Sequence, residues 1–363
     1  MRQPPAEPGR STRPFVSRAF GLLAALGGRH PTATVLAIAD SRRLVRAAFL
    51  SSAAESGLLR LLRNAATAAE LAAECGAART DRLEAWLAVG VELGELARRG
   101  NRYKVVGPRA RALRDGDPLL TAHYRSMLEY QVGPYREVRE LLSQGPSAGR
   151  DDLSTHARTI AEVSLAAAPF VVPFLRRAVG SASPASALDV GCGTGVYLRA
   201  LLEADPLIRV EGIDLSPDVA AATAAGLVAD GLAERATVRS GDVRELDSRT
   251  AGPFGLVTLC NNIYYFAPEE RLALYRQLGS LLAPGGTLLV TTMTTPGSTA
   301  SAHLHFMLSC QAGAAGLPRQ GEIEQDLARA GLEVVDAQRL VPTEPFVGIA
   351  ARRRDTRAGG SAG

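Results

Sequence analysis

A glycine-rich turn is the part of this 363-residue chain whose residue types and spacing point most directly to chemistry. Asp189 is followed by Gly191, Gly193 and Gly195 at alternate positions, after an apolar run and before a helical pattern. Glycine has no Cβ and accepts positive φ, so such a turn lets the backbone approach a ligand, and the helix behind it offers free N–H groups. Asp214 ends the next apolar run, at about the 20-residue distance typical of an acid that binds ribose hydroxyls. The pattern therefore predicts a nucleotide site.

An acid followed by Gly-x-Gly-x-Gly resembles the cofactor-binding signature of the class I S-adenosylmethionine (SAM) dependent methyltransferases. A Gly-Asp pair at 241–242 and a Pro-Gly-Gly turn at 284–286, before the fifth strand, follow in the order of that family. The resemblance implies that SAM is the cofactor, with Asp214 on the ribose and Asp242 beside the adenine. The residues that it implies for cofactor binding are Asp189, Gly191, Gly193, Gly195, Asp214, Leu215, Gly241, Asp242 and Asn261. A fold that binds NAD predicts Gly-x-Gly-x-x-Gly instead, and this chain has Val196 at the last position.

The residues before this region predict a separate, mostly helical domain. Apolar residues at helical spacing predict several helices, and Gly100-Asn101 predicts a β-hairpin after them, as in a winged helix. The candidate recognition helix, 81–92, carries three acids and one arginine, a surface that would repel DNA. The pattern is similar to the dimerisation domain of small-molecule O-methyltransferases of secondary metabolism. That resemblance implies a homodimer and a small-molecule substrate, with no nucleic-acid partner.

The predicted fold is α/β. Strand and helix alternate from residue 187 onward, which is typical of a Rossmann-like sheet, and the resemblance implies seven strands. The last two strands, 332–339 and 346–352, lack an intervening helix and should form an antiparallel edge. The predicted division is a disordered tail at 1–30, a winged-helix-like dimerisation domain at 31–115, linking and pocket helices at 116–180, a SAM-binding catalytic domain at 181–352 and a disordered tail at 353–363.

The composition indicates a soluble globular protein. Hydrophobic residues make up 46% of the chain and charged residues 21%. The formal net charge of +4 is spread along the chain, so it does not favour a nucleic-acid partner. The four cysteines lie far apart without metal-ligand spacing, which indicates reduced thiols in the cytoplasm and no bound metal. The sequence pattern also predicts no segment that is long and apolar enough to span a bilayer, and we therefore predict no membrane partner.

The sequence leaves the acceptor chemistry open. The O-methyltransferases that the chain resembles carry Asn-x-x-His-Asp-Trp after the fourth strand, and that histidine is their base. Residues 261–266 read Asn-Asn-Ile-Tyr-Tyr-Phe here, so Tyr264 stands where the histidine would be. Tyrosine has an ordinary pKa near ~10 and is a poor base at neutral pH. Transfer to oxygen with a relocated base, transfer to carbon, and a non-catalytic SAM-binding regulator therefore all stay open.

Transfer to carbon would need an aromatic lining for a cationic intermediate and a group that takes up the proton. An isoprenoid diphosphate acceptor would also need a cation such as Arg136 for its phosphates. The candidates for catalysis, by either route, are Glu162, Tyr264, His303 and His305. The candidates for substrate binding are Phe170, Tyr265, Phe266, Phe306, Arg136 and His156.

Overall fold

The computed structural model describes residues 30–145, 149–249, 251–313 and 316–354. The predicted disordered tails fall almost entirely outside these ranges. By its internal contacts the chain divides into two compact units, Met1–Asp117 and Pro118–Gly363.

The first unit is mostly helical. Its helices are α1 (Pro31–Ser56), α2 (Leu58–Leu61), α3 (Ala68–Cys75), α4 (Thr80–Glu92) and α5 (Pro108–Asp115), and its strands are β1 (Ala66–Thr67), β2 (Leu96–Arg99) and β3 (Arg102–Val105). The strands form a small antiparallel sheet in the order β1-β3-β2. β2 and β3 are the predicted hairpin, and Gly100 turns between them with φ +60°. The helical character of this region is confirmed.

The helix ends of this unit follow local side-chain chemistry. Glu70 N–H donates to Thr67 Oγ1 at 3.2 Å and Thr67 N–H donates to the Glu70 carboxylate at 2.7 Å, which forms a capping box. Thr80, a residue type that is common at helix caps, is already the first residue of α4. Arg79 precedes it and donates to Asp81 at 2.8 and 2.6 Å.

The second unit opens with a series of short helices. They are α6 (Pro118–Ser126), a π-helical turn (Met127–Gln131), α7 (Gly133–Arg136), α8 (Val138–Leu141), α9 (Asp152–Thr155), α10 (Ala157–Val163), a 3-10 turn (Ser164–Ala167) and α11 (Ala168–Ala182). Apolar spacing by itself predicts two continuous helices here, at 119–144 and 154–178, and the structure shows that both are interrupted. Pro134 lacks the N–H that would continue the first helix. The second is divided at His156 and again at the 3-10 turn before Pro169.

The predicted seven-stranded sheet is present in this unit. Its strands are β4 (Ser186–Val190), β5 (Arg209–Asp214), β6 (Ala236–Ser240), β7 (Phe254–Cys260), β8 (Leu282–Met293), β9 (Leu332–Arg339) and β10 (Phe346–Arg353), and its helices are α12 (Val196–Ala204), α13 (Pro217–Ala229), α14 (Pro268–Leu281), α15 (Thr299–Ser309) and α16 (Gln320–Arg329). The order is β6-β5-β4-β7-β8-β10-β9. The five strands from β6 to β8 in this order are parallel to one another, and β10 lies antiparallel between β8 and β9. The antiparallel strand is thus inserted beside β8, and β9 is the edge.

Alternate residues of the central strands pack on opposite faces of the sheet. Leu188 and Val190 of β4 belong to one core cluster, which includes buried residues of α14 and α16. Ala187 of the same strand belongs to the other cluster, with residues of α11 and α12. This period of two, with helices on both faces, leaves the carboxyl ends of the strands as the place where loops can form a site.

Two sequence predictions outside the site are corrected. The Pro-Gly-Gly segment at 284–286 is not a turn ahead of the fifth strand but an irregular part of β8, where Gly285 has φ +74°.

Residues 157–182 are long and apolar enough, with mean hydropathy 1.4, to cross a membrane by length and composition. The 3-10 turn interrupts them, and Val171 and Phe174 lie in the core. The absence of a membrane partner stays a prediction.

Candidate active site

A cavity of about 670 Å³ lies at the carboxyl ends of β4, β5 and β7. In the sheet, β5 lies on one side of β4 and β7 lies on the other, so the strand order reverses at β4. Such a reversal leaves a crevice at the carboxyl ends of the strands in open α/β sheets. Its walls are residues 191–194, 213–219, 241–244 and 260–262, the aromatic pair Tyr265 and Phe266, and one side of α10. Most of the cofactor residues predicted from separate motifs are therefore brought together.

The glycine turn has the backbone conformation that its sequence predicts. Gly191, Gly193 and Gly195 have φ of +64°, +54° and +74°. Asn262 packs against the turn, because its Nδ2 donates to the carbonyl of Val190 at 2.7 Å and to that of Gly191 at 3.2 Å. A Cβ at residue 191 would lie 2.1 Å from that nitrogen. The turn therefore requires glycine and gives a ligand direct access to the backbone.

Two carboxylates face the cavity from neighbouring strand ends. Asp214 accepts hydrogen bonds from the N–H of Gly193 at 2.9 Å and of Ser216 at 3.0 Å, which ties the glycine turn to the end of β5. Hydrogen bonds from Arg244 lower the pKa of Asp242 below its ordinary value. Gly241 and Leu215 line the cavity beside these two acids. A carboxylate at each strand end suits the hydroxyl and amino donors of a nucleoside.

Asp189 lies beneath the cavity instead of lining it. The side chain is 1% exposed, and Thr258 donates to its Oδ1 at 2.6 Å because Asp189 and Thr258 are paired across β4 and β7. Its Oδ2 has no hydrogen-bond partner among the residues that the structure describes. Burial, and then the charge of Asp214, raise the pKa of Asp189 to about 7, against the opposing effect of Thr258.

The raised pKa of Asp189 predicts a pH-dependent cost in stability. The folded-state pKa lies above the ordinary value of 3.8, so the folded protein holds a proton that the unfolded chain releases, and stability falls as the pH rises from about 4 to about 7. Asp189→Asn removes this ionisation. Above pH 7 we expect the variant to be more stable than the wild type, by an amount on the order of 4 kcal/mol, with the difference disappearing near pH 4. Thermal unfolding across this range measures it, and a difference independent of pH would contradict the assignment.

Asn261 holds a strained position at the end of β7. It is a non-glycine residue with φ +58°, it is buried, and it lines the cavity. Its N–H donates to the carbonyl of Thr291 at 2.8 Å and its Nδ2 donates to Tyr197 Oη at 3.2 Å. Backbone strain of this kind persists where surrounding contacts enforce it, and it is common at functional sites. Tyr197, which also lines the cavity, was not found from the sequence.

The structure does not favour Tyr264 as a base. Its ring packs edge-on against Tyr265, with centroids 4.7 Å apart, and it does not line the cavity. Burial raises the pKa of both phenols. Both hydroxyls are therefore protonated near neutral pH. Tyr265 and Phe266 do line the cavity, and they give it an aromatic wall.

The remaining catalytic candidates are engaged in contacts away from the cavity. Glu162 accepts from Arg125 at 3.3 Å and from Arg158 at 3.0 Å. His305 accepts a hydrogen bond from the N–H of Leu317 at Nδ1, at 3.0 Å. Neither the Glu162 nor the His305 side chain lines the cavity. The structure therefore does not bring Glu162 or His305 to the predicted site.

His303 belongs to a separate aromatic cluster. Its Nδ1 lies 2.8 Å from Tyr135 Oη, the two rings stack, and Phe306 packs against Tyr135 at 4.9 Å. Burial lowers the pKa of His303. Two further substrate candidates are also outside the cavity: Phe170 is 40% exposed and Arg136 is exposed. His156 lies beside Asp152, next to the wall formed by α10.

Comparison with known proteins agrees with this geometry. Residues 187–286 match a family model described as a methyltransferase domain. The carboxy-S-adenosyl-L-methionine synthase of Chromohalobacter salexigens is 31% identical over 105 residues, which are 28% of this chain and 38% of that protein. The ubiquinone biosynthesis O-methyltransferase of Xanthomonas campestris pv. campestris is 34% identical over 119 residues, 32% of this chain and 47% of that protein. The matched region thus spans less than half the length of these curated relatives.

A solved structure extends the likeness to nearly the whole chain. The O-methyltransferase family protein from Burkholderia thailandensis superposes with a TM-score of 0.71 at 21% identity, covering 90% of this chain and 98% of that one. At this identity the likeness concerns the fold. The cavity thus lies in a sheet of the type found in class I methyltransferases. Residues 187–286 match the methyltransferase domain family, and the chain around them has the two-domain fold of the solved O-methyltransferase family protein.

Proposed function

We propose that the protein is an enzyme that transfers the methyl group of SAM to an oxygen atom of a small-molecule acceptor. The observation that carries the proposal is one continuous cavity that joins the glycine turn and the acids Asp214 and Asp242 to an aromatic wall at Tyr265 and Phe266. SAM fits the part of the cavity that is lined by the glycine turn and the two acids, with its ribose on Asp214 and its adenine beside Asp242. A volume of about 670 Å³ is in the usual range for a small-molecule site.

For this reaction the protein has to align the acceptor with the cofactor more than it has to activate either of them. SAM carries its methyl group on a positively charged sulfur, so the protein mainly has to hold the acceptor in line with the methyl carbon. The aromatic wall of Tyr265 and Phe266, with Ile160 of α10 in the same lining, suits an aromatic acceptor. Transfer to carbon is not favoured, since its candidate base Glu162 is paired with two arginines outside the cavity. A regulator without turnover is not favoured because the cavity has room beside the cofactor part.

Incubation with methyl-labelled SAM tests this function. The protein is offered phenols, carboxylic acids and isoprenoid diphosphates, and mass spectrometry locates the label. We expect label on oxygen of an aromatic acceptor. Label on carbon would contradict the oxygen assignment, and SAM binding without transfer to any acceptor in the panel would favour the regulator. Absence of SAM binding would overturn the whole assignment.

We infer in addition that the first unit, as a winged-helix-like domain, makes the protein a homodimer. Five large apolar side chains of α1 are between 46% and 63% exposed: Val35, Leu36, Ile38, Leu44 and Val45. A helix with this much apolar surface needs a partner surface, and a second copy supplies one. We place the dimer in the cytoplasm, in secondary metabolism.

Ile38→Glu puts a charge on this apolar surface and should shift the mass measured by light scattering from that of a dimer to that of a monomer. Arg43→Glu changes an exposed position of the same helix and should leave the mass unchanged. A monomeric wild type would refute the dimer.

A further inference from the structure

The charged side chains that line the cavity are unequal in sign. Four of them are acids and one is an arginine: Asp151, Asp214, Asp218, Asp242 and Arg244. Arg244 pairs with Asp242 at 2.7 Å and with Glu270 at 3.1 Å, so its guanidinium is already engaged by two carboxylates. Among the described residues that line the cavity, there is no further lysine, arginine or histidine that could bind an anion.

Three of the four acids lie in the part of the cavity that suits SAM. Asp214 ends β5 and Asp242 follows β6, and they are the proposed partners of the ribose and the adenine. Asp218 is in the first turn of α13, the helix that follows β5. The glycine turn belongs to the same part, because the N–H of Gly193 donates to Asp214. Asp151 is therefore the acid of the lining that remains for the acceptor.

Asp151 is held at the side of the cavity that has the aromatic wall. The N–H and the carbonyl of Arg150 are both bonded to the backbone of segment 310–312, at 2.8 and 3.0 Å. This segment directly follows α15, and Leu308 near the end of α15 belongs to the cluster against which Tyr265 packs. The end of α15 thus connects the backbone at Asp151 with the aromatic wall.

The charged residues on either side of Asp151 in sequence are paired with each other. Arg150 donates to Asp152 through Nε and Nη2, both at 2.8 Å, and it also pairs with Glu137. Gln311 donates to Asp152 at 2.6 Å. Neither Arg150 nor Asp152 lines the cavity. This network therefore fixes the backbone at Asp151 without placing a cation in the cavity.

We propose that Asp151 is a specificity-determining residue of this cavity and that the acceptor is an aromatic hydroxyl compound that carries an amino group. The inference rests on the proposed transfer to oxygen. An ammonium group beside Asp151 gains a charge-assisted hydrogen bond while its ring packs on Tyr265 and Phe266. A carboxylate or phosphate in the same place would lose its water without gaining a cation. Anionic acceptors are therefore disfavoured.

The test compares three phenols that differ in the group at the end of the same two-carbon side chain. They are 4-(2-aminoethyl)phenol, 4-(2-hydroxyethyl)phenol and 3-(4-hydroxyphenyl)propionate, which end in an amine, a hydroxyl and a carboxylate. Calorimetry near neutral pH measures their affinities for the protein saturated with S-adenosylhomocysteine. We expect the amine to bind about fivefold more tightly than the hydroxyl compound and the carboxylate to bind more weakly than either, as for a partly exposed ion pair.

Variants of Asp151 show whether this residue sets the order. Asp151→Asn should bring the affinities of the amine and the hydroxyl compound to within about twofold of each other, and Asp151→Lys should reverse the order of the amine and the carboxylate. Glu203→Gln changes an exposed acid of α12 outside the cavity lining and should keep the order of the wild type. All three variants should bind S-adenosylhomocysteine as the wild type does.

The outcomes separate this inference from the proposed function. Equal affinities of the wild type for the three phenols, or an order that Asp151→Lys leaves unchanged, would overturn the role of Asp151. Weaker binding of S-adenosylhomocysteine to Asp151→Asn would overturn it as well, because the side chain would then contact the cofactor. Incubation of the amine with methyl-labelled SAM tests the transfer itself. Binding in the expected order without label on oxygen would support the charge preference and contradict the transfer to oxygen.

Discussion

Asp214→Ala should weaken SAM binding by at least about 100-fold. Two ribose hydroxyls that donate to a carboxylate contribute roughly 1.5 to 3 kcal/mol each, and about 1.4 kcal/mol is tenfold in affinity. The same carboxylate accepts from the N–H groups of Gly193 and Ser216, so its removal also frees the glycine turn from the end of β5. Both effects act on the cofactor rather than on the acceptor. Calorimetric titration with SAM or S-adenosylhomocysteine measures the loss directly.

Two further variants show whether the loss comes from the carboxylate itself. Asp214→Asn keeps the size and one acceptor oxygen, so its affinity should fall between those of Asp214→Ala and the wild type. Glu203→Ala removes an exposed acid of α12 that pairs with Arg176, and it should bind SAM normally. Unchanged affinity in Asp214→Ala would mean that the ribose lies elsewhere. A drop in Glu203→Ala equal to that in Asp214→Ala would indicate a general effect of charge on binding.

The sheet could be predicted closely because its signals are local. Alternation of apolar and turn residues located β9 at 332–339 with the bounds that the structure has. The helices between 118 and 182 were predicted as too long, because apolar spacing alone does not register where Pro134 or the 3-10 turn at Ser164–Ala167 interrupts a helix. The position of β10 between β8 and β9 depends on pairing across the sheet, which a single strand does not encode locally.

The two parts of the candidate site differ in how far sequence could reveal them. The cofactor part is built from motifs at strand ends, so the glycine turn, Asp214 and Asp242 could be named from spacing. The acceptor part depends on contacts between distant segments. Tyr265 and Phe266 are far from α10 in sequence, and nothing in either segment predicts that they line one cavity.

Gly191→Ala should damage both folding and cofactor binding, whereas Gly193→Ala should damage mainly binding. Both residues have positive φ, so either alanine is strained by roughly 1 to 2 kcal/mol. At 191 the new Cβ would also meet Asn262 Nδ2 at 2.1 Å, and that amide is held by its bond to the carbonyl of Val190. At 193 the nearest atom is Ala161 Cβ at 3.7 Å, an ordinary contact. The methyl group there instead occupies space that the cofactor needs.

Thermal unfolding and SAM titration of the same variants separate these effects. We expect Gly191→Ala to lower Tm by roughly 8 °C, since overpacking adds about 2 kcal/mol to the strain and a chain of this size loses a few degrees per kcal/mol. Gly193→Ala should lose only about 3 °C yet bind SAM at least about 100-fold more weakly. Gly231→Ala is the matched control, because Gly231 has φ +71° and open space around a Cβ. It should lose the same few degrees and bind SAM normally; if its SAM affinity also fell, backbone strain rather than contact with the cofactor would explain the loss at 193.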